Sequence, residues 1–440
     1  MAWFPASEST PRRVIRFTAG NRTRVCDTGK ETSPAPRRYP VDGVFEARIE
    51  GVKMKIGKSA RLLLAAAPVL TGFLAGCGDF WQAPAGGSTT TSTGASSTVF
   101  YVLNQATKQI AGYSIVSGTL TPVTGSPYTL AAAPYSIAIS PANNFLYVGT
   151  PSGIYLYNIG SGGALTLANN SNTISSDFAT TMQVDGTVGW LIEAGPNVAD
   201  LFAIPINSTT GAPTSTIKQP VQLPAATVNQ LAISQDNAHV VVALGSSGTE
   251  EIPFTAGSST PFGAATNLAV KNSAGAAVSV AIDPTNRLLY VGETAATSGA
   301  NSGGLRVFNL STLTEVTGSP YATSGLAPYA IAPEMKGNYV YVANRAVSGS
   351  STGNIAGFAV TTVGTTYSLT ALSTTATAGT TPVGLTEDGL ENYILVVDSG
   401  GSPDLEAYTF DTTTAGKLDS ALSSSTGTDP VQAVAIAAAP

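Results

Sequence analysis

The sequence predicts an all-β fold, a seven-bladed β-propeller of four-stranded antiparallel blades with its ring closed by the C-terminal strand. Three observations predict it. The first is a strand–turn–strand unit, clearest at 278–293: Val-Ser-Val-Ala-Ile, then Asp-Pro-Thr-Asn, then Leu-Leu-Tyr-Val after one Arg. Both runs are rich in β-formers. Asp and Asn bond to nearby backbone and Pro pre-sets φ, so the four residues between them read as a type I turn. The runs are apolar on both faces, which demands cover from two sides. The second observation is repetition. Aligned on the step that reads Tyr-Val here, second strands centre on Tyr101, Tyr147, Trp190, Val241, Tyr290, Tyr341 and Leu395, spaced by 46, 43, 51, 49, 51 and 54 residues. Such a period, with several short strands per unit, is that of a propeller blade. The third observation concerns the ends. The repeats begin on a second strand, 99–103, and finish on a first strand, 431–436, so the last strand supplies the piece that the first blade lacks.

Taken in order, residues 1–53 carry ten of the 21 Lys and Arg, no apolar periodicity and one cysteine, Cys26. They read as a non-native leader or a disordered extension, with a basic arm for nucleic acid or membrane as the alternative. Met54 opens a clearer pattern. Lys55, Lys58 and Arg61 form a positive region, followed by an apolar one, 62–74, too short to span a bilayer and broken by Pro68 and Gly72. It ends in Leu74-Ala75-Gly76-Cys77. Segment 54–76 thus resembles a bacterial lipoprotein signal peptide with its lipobox. The resemblance implies cleavage before Cys77, lipidation of its sulfur, and an extracytoplasmic place in the cell envelope, anchored to the membrane. Residues 77–97, rich in Gly, Ser and Thr, then read as a flexible tether on the order of 20 Å long.

Cleavage there leaves eight basic against 21 acidic residues, a net charge of −13. With no cationic stripe, nucleic-acid phosphate is excluded as a partner. Only one cysteine remains, so stability must come from packing rather than disulfides. No Cys/His metal spacing, phosphate-binding loop or dinucleotide fingerprint occurs, so no metal and no cofactor are expected, and the body is expected to be a monomer. Gly349-Ser-Ser-Thr-Gly353 matches a nucleophile-elbow pattern, but it reads as a Ser/Gly loop with no strand–turn–helix around it and no His placed to serve it.

From Thr98 to Pro440 each repeat carries four strand signals. After the two already described comes an alternating run ending aromatic-x-aliphatic, as in Tyr113-Ser-Ile115, Tyr157-Asn-Ile159, Phe308-Asn-Leu310, Phe358-Ala-Val360 and Tyr408-Thr-Phe410. Ile204-Pro-Ile206 and Ile252-Pro-Phe254 are weaker copies whose Pro suits an outer position. The fourth strand is poorly marked, as an exposed edge should be.

The steps Phe-Leu-Tyr-Val-Gly149, Leu-Leu-Tyr-Val-Gly-Glu293 and Tyr-Val-Tyr-Val-Ala-Asn-Arg345, with Gly-Ser-Pro-Tyr at 125–128 and 318–321, resemble the seven-bladed lactonase propellers. That group includes the 6-phosphogluconolactonase type and YVTN-repeat surface proteins. The resemblance implies metal-independent work on sugar or muconate lactones by polar residues at one mouth of the ring. The residues that follow the Tyr-Val step are expected to ring that mouth: Asn104, Thr150, Glu193, Leu244, Glu293, Asn344 and Asp398, with Arg345 beside them. Glu293, expected to face the channel among like charges, is the candidate base. Arg345 would clamp an acidic substrate, Glu193 and Asp398 would orient water, and Asn104, Thr150 and Asn344 would bind substrate. Two departures weigh against catalysis. Where family enzymes carry Pro-Arg-His, this chain reads Pro328-Tyr329-Ala330, and the Asn-Arg step is followed by Ala346-Val347. The one histidine, His239, belongs beside a turn on the opposite rim. The expectation is therefore a binding or display module at the cell envelope, meeting a small molecule or an envelope component at the channel mouth, with lactone hydrolysis as the alternative.

Overall fold

The computed structural model describes residues 97–440 except 188, 378, 425–429, 431 and 440, together with four strands nearer the N-terminus. Residues 57–96, which include Cys77 and most of the expected signal peptide and tether, lie outside the described residues. The chain divides into two units, Met1–Gly87 and Ser88–Pro440. In the first, Val14–Ala19 pairs with Arg22–Asp27 and Phe45–Ile49 pairs with Val52–Ile56, both antiparallel.

The second unit is the seven-bladed propeller. Blade 5 shows the pattern: Ala276–Ile282, Leu288–Thr294, Gly304–Asn309 and Tyr321–Ala322 pair antiparallel in that order, from the axis outward. Blades 2, 3, 4, 6 and 7 repeat it within 136–167, 181–222, 230–268, 328–376 and 380–423. Blade 1 joins the two ends of the chain: Ala433–Ala438 pairs with Ser97–Asn104, which continues to Gln109–Val116 and Thr119–Pro122. The closing strand starts two residues later than the sequence predicts. A bulge between Ala433 and Ala435 sets the register, so that Ile436 faces Val102.

The turn between first and second strands begins with Asp, Ser or Glu because that side chain must hold the turn's own N–H groups. Asp185 accepts from Gly189 and Trp190, Ser234 from Ala238 and His239, and Asp388 from Asn392 and Tyr393. The Asn that closes the turn sits at positive φ, as at Asn237 and Asn286, a conformation Asn tolerates. It also reaches sideways. The Asn237 side chain accepts from Gly186 N in blade 3, and that of Asn286 from Gln235 N in blade 4. Arg287 forks onto Asp283 at 2.9 and 3.1 Å and donates to Gly337 O of blade 6. These turns share one rim and stitch it together.

The aromatic column of the second strands performs the same task deeper in the molecule. The Tyr101, Tyr147 and Tyr341 rings are buried, and their hydroxyls donate to Gly163 O, Gly211 O and Gly416 O, each in the outer hairpin of the next blade. Trp190 makes the equivalent bond from its indole N–H to Ala256 O at 2.5 Å. The Gly-Ser-Pro-Tyr segments add a second clamp. Tyr128 and Tyr321 hydroxyls donate within their own turn, to Thr124 O and Thr317 O, and accept from Leu165 N and Leu369 N of the following blade. The sequence repeats are therefore blade-to-blade fasteners as well as blade cores.

Candidate functional site

First strands surround the axis, and their side chains close the ring because their backbones do not pair with one another. Ser136 Oγ donates to Ala179 O, Gln230 Oε1 accepts from Val280 N, Asn229 Nδ2 donates to Ala277 O, and Ser279 Oγ donates to Pro328 O. Each bond runs from one blade to the next. Inside this belt lies an axial cavity of about 210 Å³, lined by the first strands of all seven blades. Toward one end of the cavity stand Tyr135, Thr180, Asn229, Val278, Tyr329, Val383 and Val434; two residues further along each strand come aliphatic groups including Ile137, Met182, Leu231, Leu385 and Ile436.

None of the seven residues expected to ring this mouth lines the cavity. The reason is geometric. Second strands stand one strand out from the axis, and their side chains point into the layers between blades. Glu293 is wholly buried, with Oε1 accepting from Arg306 Nη1 and Oε2 from Lys271 N, both at 2.8 Å. It does not face the channel, and its neighbour is a guanidinium rather than like charges. Arg306 in turn forks onto Glu315 at 3.1 Å through Nε and Nη2, and Lys271 Nζ reaches Glu315 at 3.2 Å. Glu193 is buried beside Asp177, whose ion pair with Lys218 closes at 2.5 Å, while Lys218 stays 3.9 Å from Glu193. Burial, then Asp177, push its carboxyl up to about 7. Asp398 is buried near Glu406 and Asp404, well apart in sequence from either of the other two carboxylates. The three acids thus occupy three different blades and do not converge.

The remaining members are structural in the same way. Thr150 donates to Gly153 O and accepts from Ser152 N across a turn. Asn344 spends its amide on Thr323 O and Asn354 Oδ1 and accepts from the Thr323 hydroxyl. Asn104 is buried, with its Oδ1 lacking a partner among the described residues. Arg345 is the exception. Its guanidinium carbon lies 3.5 Å from the centre of the Tyr329 ring, a cavity-lining group, and its buried Nε has no hydrogen-bond partner among the described residues. Arg345 makes no ion pair among the described residues. His239 opens a second strand by the opposite rim, with Nδ1 2.6 Å from Glu251 Oε1.

Sequence reasoning missed Tyr135, Thr180, Asn229 and Tyr329. The signal was present, since Ala-Pro-Tyr occurs at 133–135 and 327–329, directly before first strands. Tyr135 is 39% exposed and meets the Phe178 ring edge-on at 4.8 Å. The mouth therefore presents two aromatic surfaces, an amide and a hydroxyl, with the Arg345 guanidinium stacked on one of the aromatics from outside the lining. The described lining residues include neither a carboxylate nor an imidazole.

Solved structures with this architecture include a candidate 6-phosphogluconolactonase from Bacteroides fragilis, 14% identical, TM-score 0.61, covering 81% of this chain and 100% of its own. The periplasmic gluconolactonase of Pseudomonas aeruginosa is 15% identical with TM-score 0.59 over 78% of this chain and 99% of its own. A protein from Lactobacillus plantarum is 18% identical with TM-score 0.59 over the same shares. The likeness is one of fold. No family model matches the chain and no curated protein does.

Proposed function

We propose that this propeller is a binding module that holds a small, polar, anionic molecule at the mouth of the axial cavity. Arg345 supplies the charge, Tyr329 and Tyr135 the walls, and Asn229 and Thr180 the hydrogen bonds. Two observations carry the reading: a guanidinium without an ion pair among the described residues stacks on a lining aromatic, and no group in the described lining can take a proton from water. Calorimetric titration of the purified protein with gluconate and 6-phosphogluconate tests it. Binding should weaken about tenfold or more in Arg345→Gln, as expected for loss of a charge-assisted hydrogen bond. Acid release from a panel of sugar lactones should stay at the uncatalysed rate, and turnover by the wild type would sink the binding reading.

Lactone hydrolysis is the second reading, supported by the fold neighbours described as lactonases. Its base would be Glu193, the column carboxylate raised to about 7, rather than Glu293, which Arg306 already holds. Turnover that disappears in Glu193→Gln and survives in His239→Ala would favour it.

The envelope location rests on Leu74-Ala75-Gly76-Cys77 and the charged and apolar runs before it. In this reading translation starts at Met54 and the mature chain at lipidated Cys77. Mass spectrometry of the envelope fraction should find no peptide from 1–53. Such peptides, together with a free Cys77 thiol, would remove the anchor from the proposal.

A further inference from the structure

Blade 7 buries a carboxylate that no basic group among the described residues attends. Asp398, near the end of the second strand Tyr393–Gly400, is fully buried, and both its oxygens lack a hydrogen-bond partner among the described residues. Glu406 faces it from the third strand, itself accepting from the Tyr408 hydroxyl at 2.8 Å, and Asp404 from the loop between, whose carbonyl accepts from Asp398 N at 2.9 Å. The groups that act on Asp398 are these two acids and the Thr377 hydroxyl, which is 4% exposed and has no other partner. Gly379 seals the remaining side. A Cβ there would stand 2.7 Å from the Asp398 carboxyl carbon, so no side chain can intervene. No group of three potential metal ligands fit to hold an ion occurs among the described residues.

An ionised carboxylate in this place would be an uncompensated buried charge beside two others. A protonated one carries no charge and can donate to one of its neighbours. The segment against which it packs is not remote from the site. Pro382 is its strand partner, a bulge follows between Pro382 and Gly384, and Val383, Gly384 and Leu385 line the axial cavity. We propose that Asp398 is a proton-binding site of the folded protein, and that release of its proton loosens segment 379–382 and with it the blade-7 wall of the cavity. Burial first, then Glu406 and Asp404, push this carboxyl up to about 8, with Thr377 pulling weakly the other way.

The sign follows from linkage. Between its ordinary value and its raised one, Asp398 is protonated in the folded chain and ionised in the unfolded one, so stability falls as pH rises. Urea unfolding of the full chain, wild type and Asp398→Asn, at steps between pH 5 and pH 8 reads this directly. The ratio of the two unfolding constants should change about tenfold per pH unit between pH 5 and pH 7 in the variant's favour. A ratio independent of pH would overturn the proposal. Should Asp398→Asn not fold, Glu406→Gln takes its place: removing the like charge should move the pH region of lost stability downward, and an unmoved profile would overturn it. Added calcium that stabilises the wild type at pH 8 but not Asp398→Asn would mean that a metal ion rather than a proton occupies the cluster, which also overturns it.

Discussion

Tyr147 of blade 2 and Tyr290 of blade 5 occupy the same position of their repeats, yet they are not equivalent. Tyr147 donates to Gly211 O at 2.9 Å, whereas the Tyr290 hydroxyl is buried with no partner among the described residues. The difference lies in the next blade. Blade 6 carries an outer hairpin that pairs without interruption from Phe358–Ala371 to Val363–Thr366, which puts its turn at the far end of a six-pair ladder. Tyr147→Phe should therefore cost about 1 kcal/mol, while Tyr290→Phe should be neutral or stabilising because it removes an unsatisfied polar group. Urea midpoints of the two variants decide this; equal losses would refute it. Glu293 belongs to the same scale. Its removal leaves Arg306 buried with one partner fewer, so Glu293→Gln should destabilise by up to about 3 kcal/mol and change no lactone rate. A normal melting temperature with altered catalysis would return Glu293 to the active-site list.

Among elements, the strand that decides the most is Ala433–Ala438. It covers the inner edge of Ser97–Asn104 and delivers Val434, Ala435 and Ile436 to the axial cavity. Thr98 Oγ1 donates to Asp388 at 2.5 Å, which ties the same blade to blade 7. Deleting 430–440 would expose a row of unpaired N–H and C=O groups and an apolar edge. The truncated protein should melt well below the full chain or aggregate, as size-exclusion chromatography and thermal denaturation would show. A monomer of undiminished stability would mean that the ring closes without this strand. The outer strands carry no such weight, being two to four residues long in most blades.

At the scale of the whole molecule, several buried titratable groups act in one direction. Glu193 and Glu387 are raised to about 7 and Asp398 to about 8, in each case by burial first, and His239 is raised by its hydrogen bond to Glu251. A carboxyl raised on folding favours the folded state while it stays protonated. A histidine raised on folding contributes fully below its unfolded value and loses that contribution above its folded one. Both effects make stability fall as pH rises from about 5 to 8. The melting temperature should be highest near pH 5, and a maximum at pH 8 or above would contradict the assignment. The blade period, the turn chemistry and the closing strand were legible in the sequence because each depends on neighbours along the chain: alternation along a strand, and Asp, Pro or Asn within one turn. Which residues face the axis was not legible from the Tyr-Val step. Glu293 follows Tyr290 as Asp398 follows Leu395, but whether such a side chain enters the channel depends on how far its strand stands from the axis and on which blade face packs against the next. That distance exists only once seven blades have closed, and the expected ring is held off the axis in ion pairs and buried acids, leaving the mouth to Tyr135, Thr180, Asn229 and Tyr329.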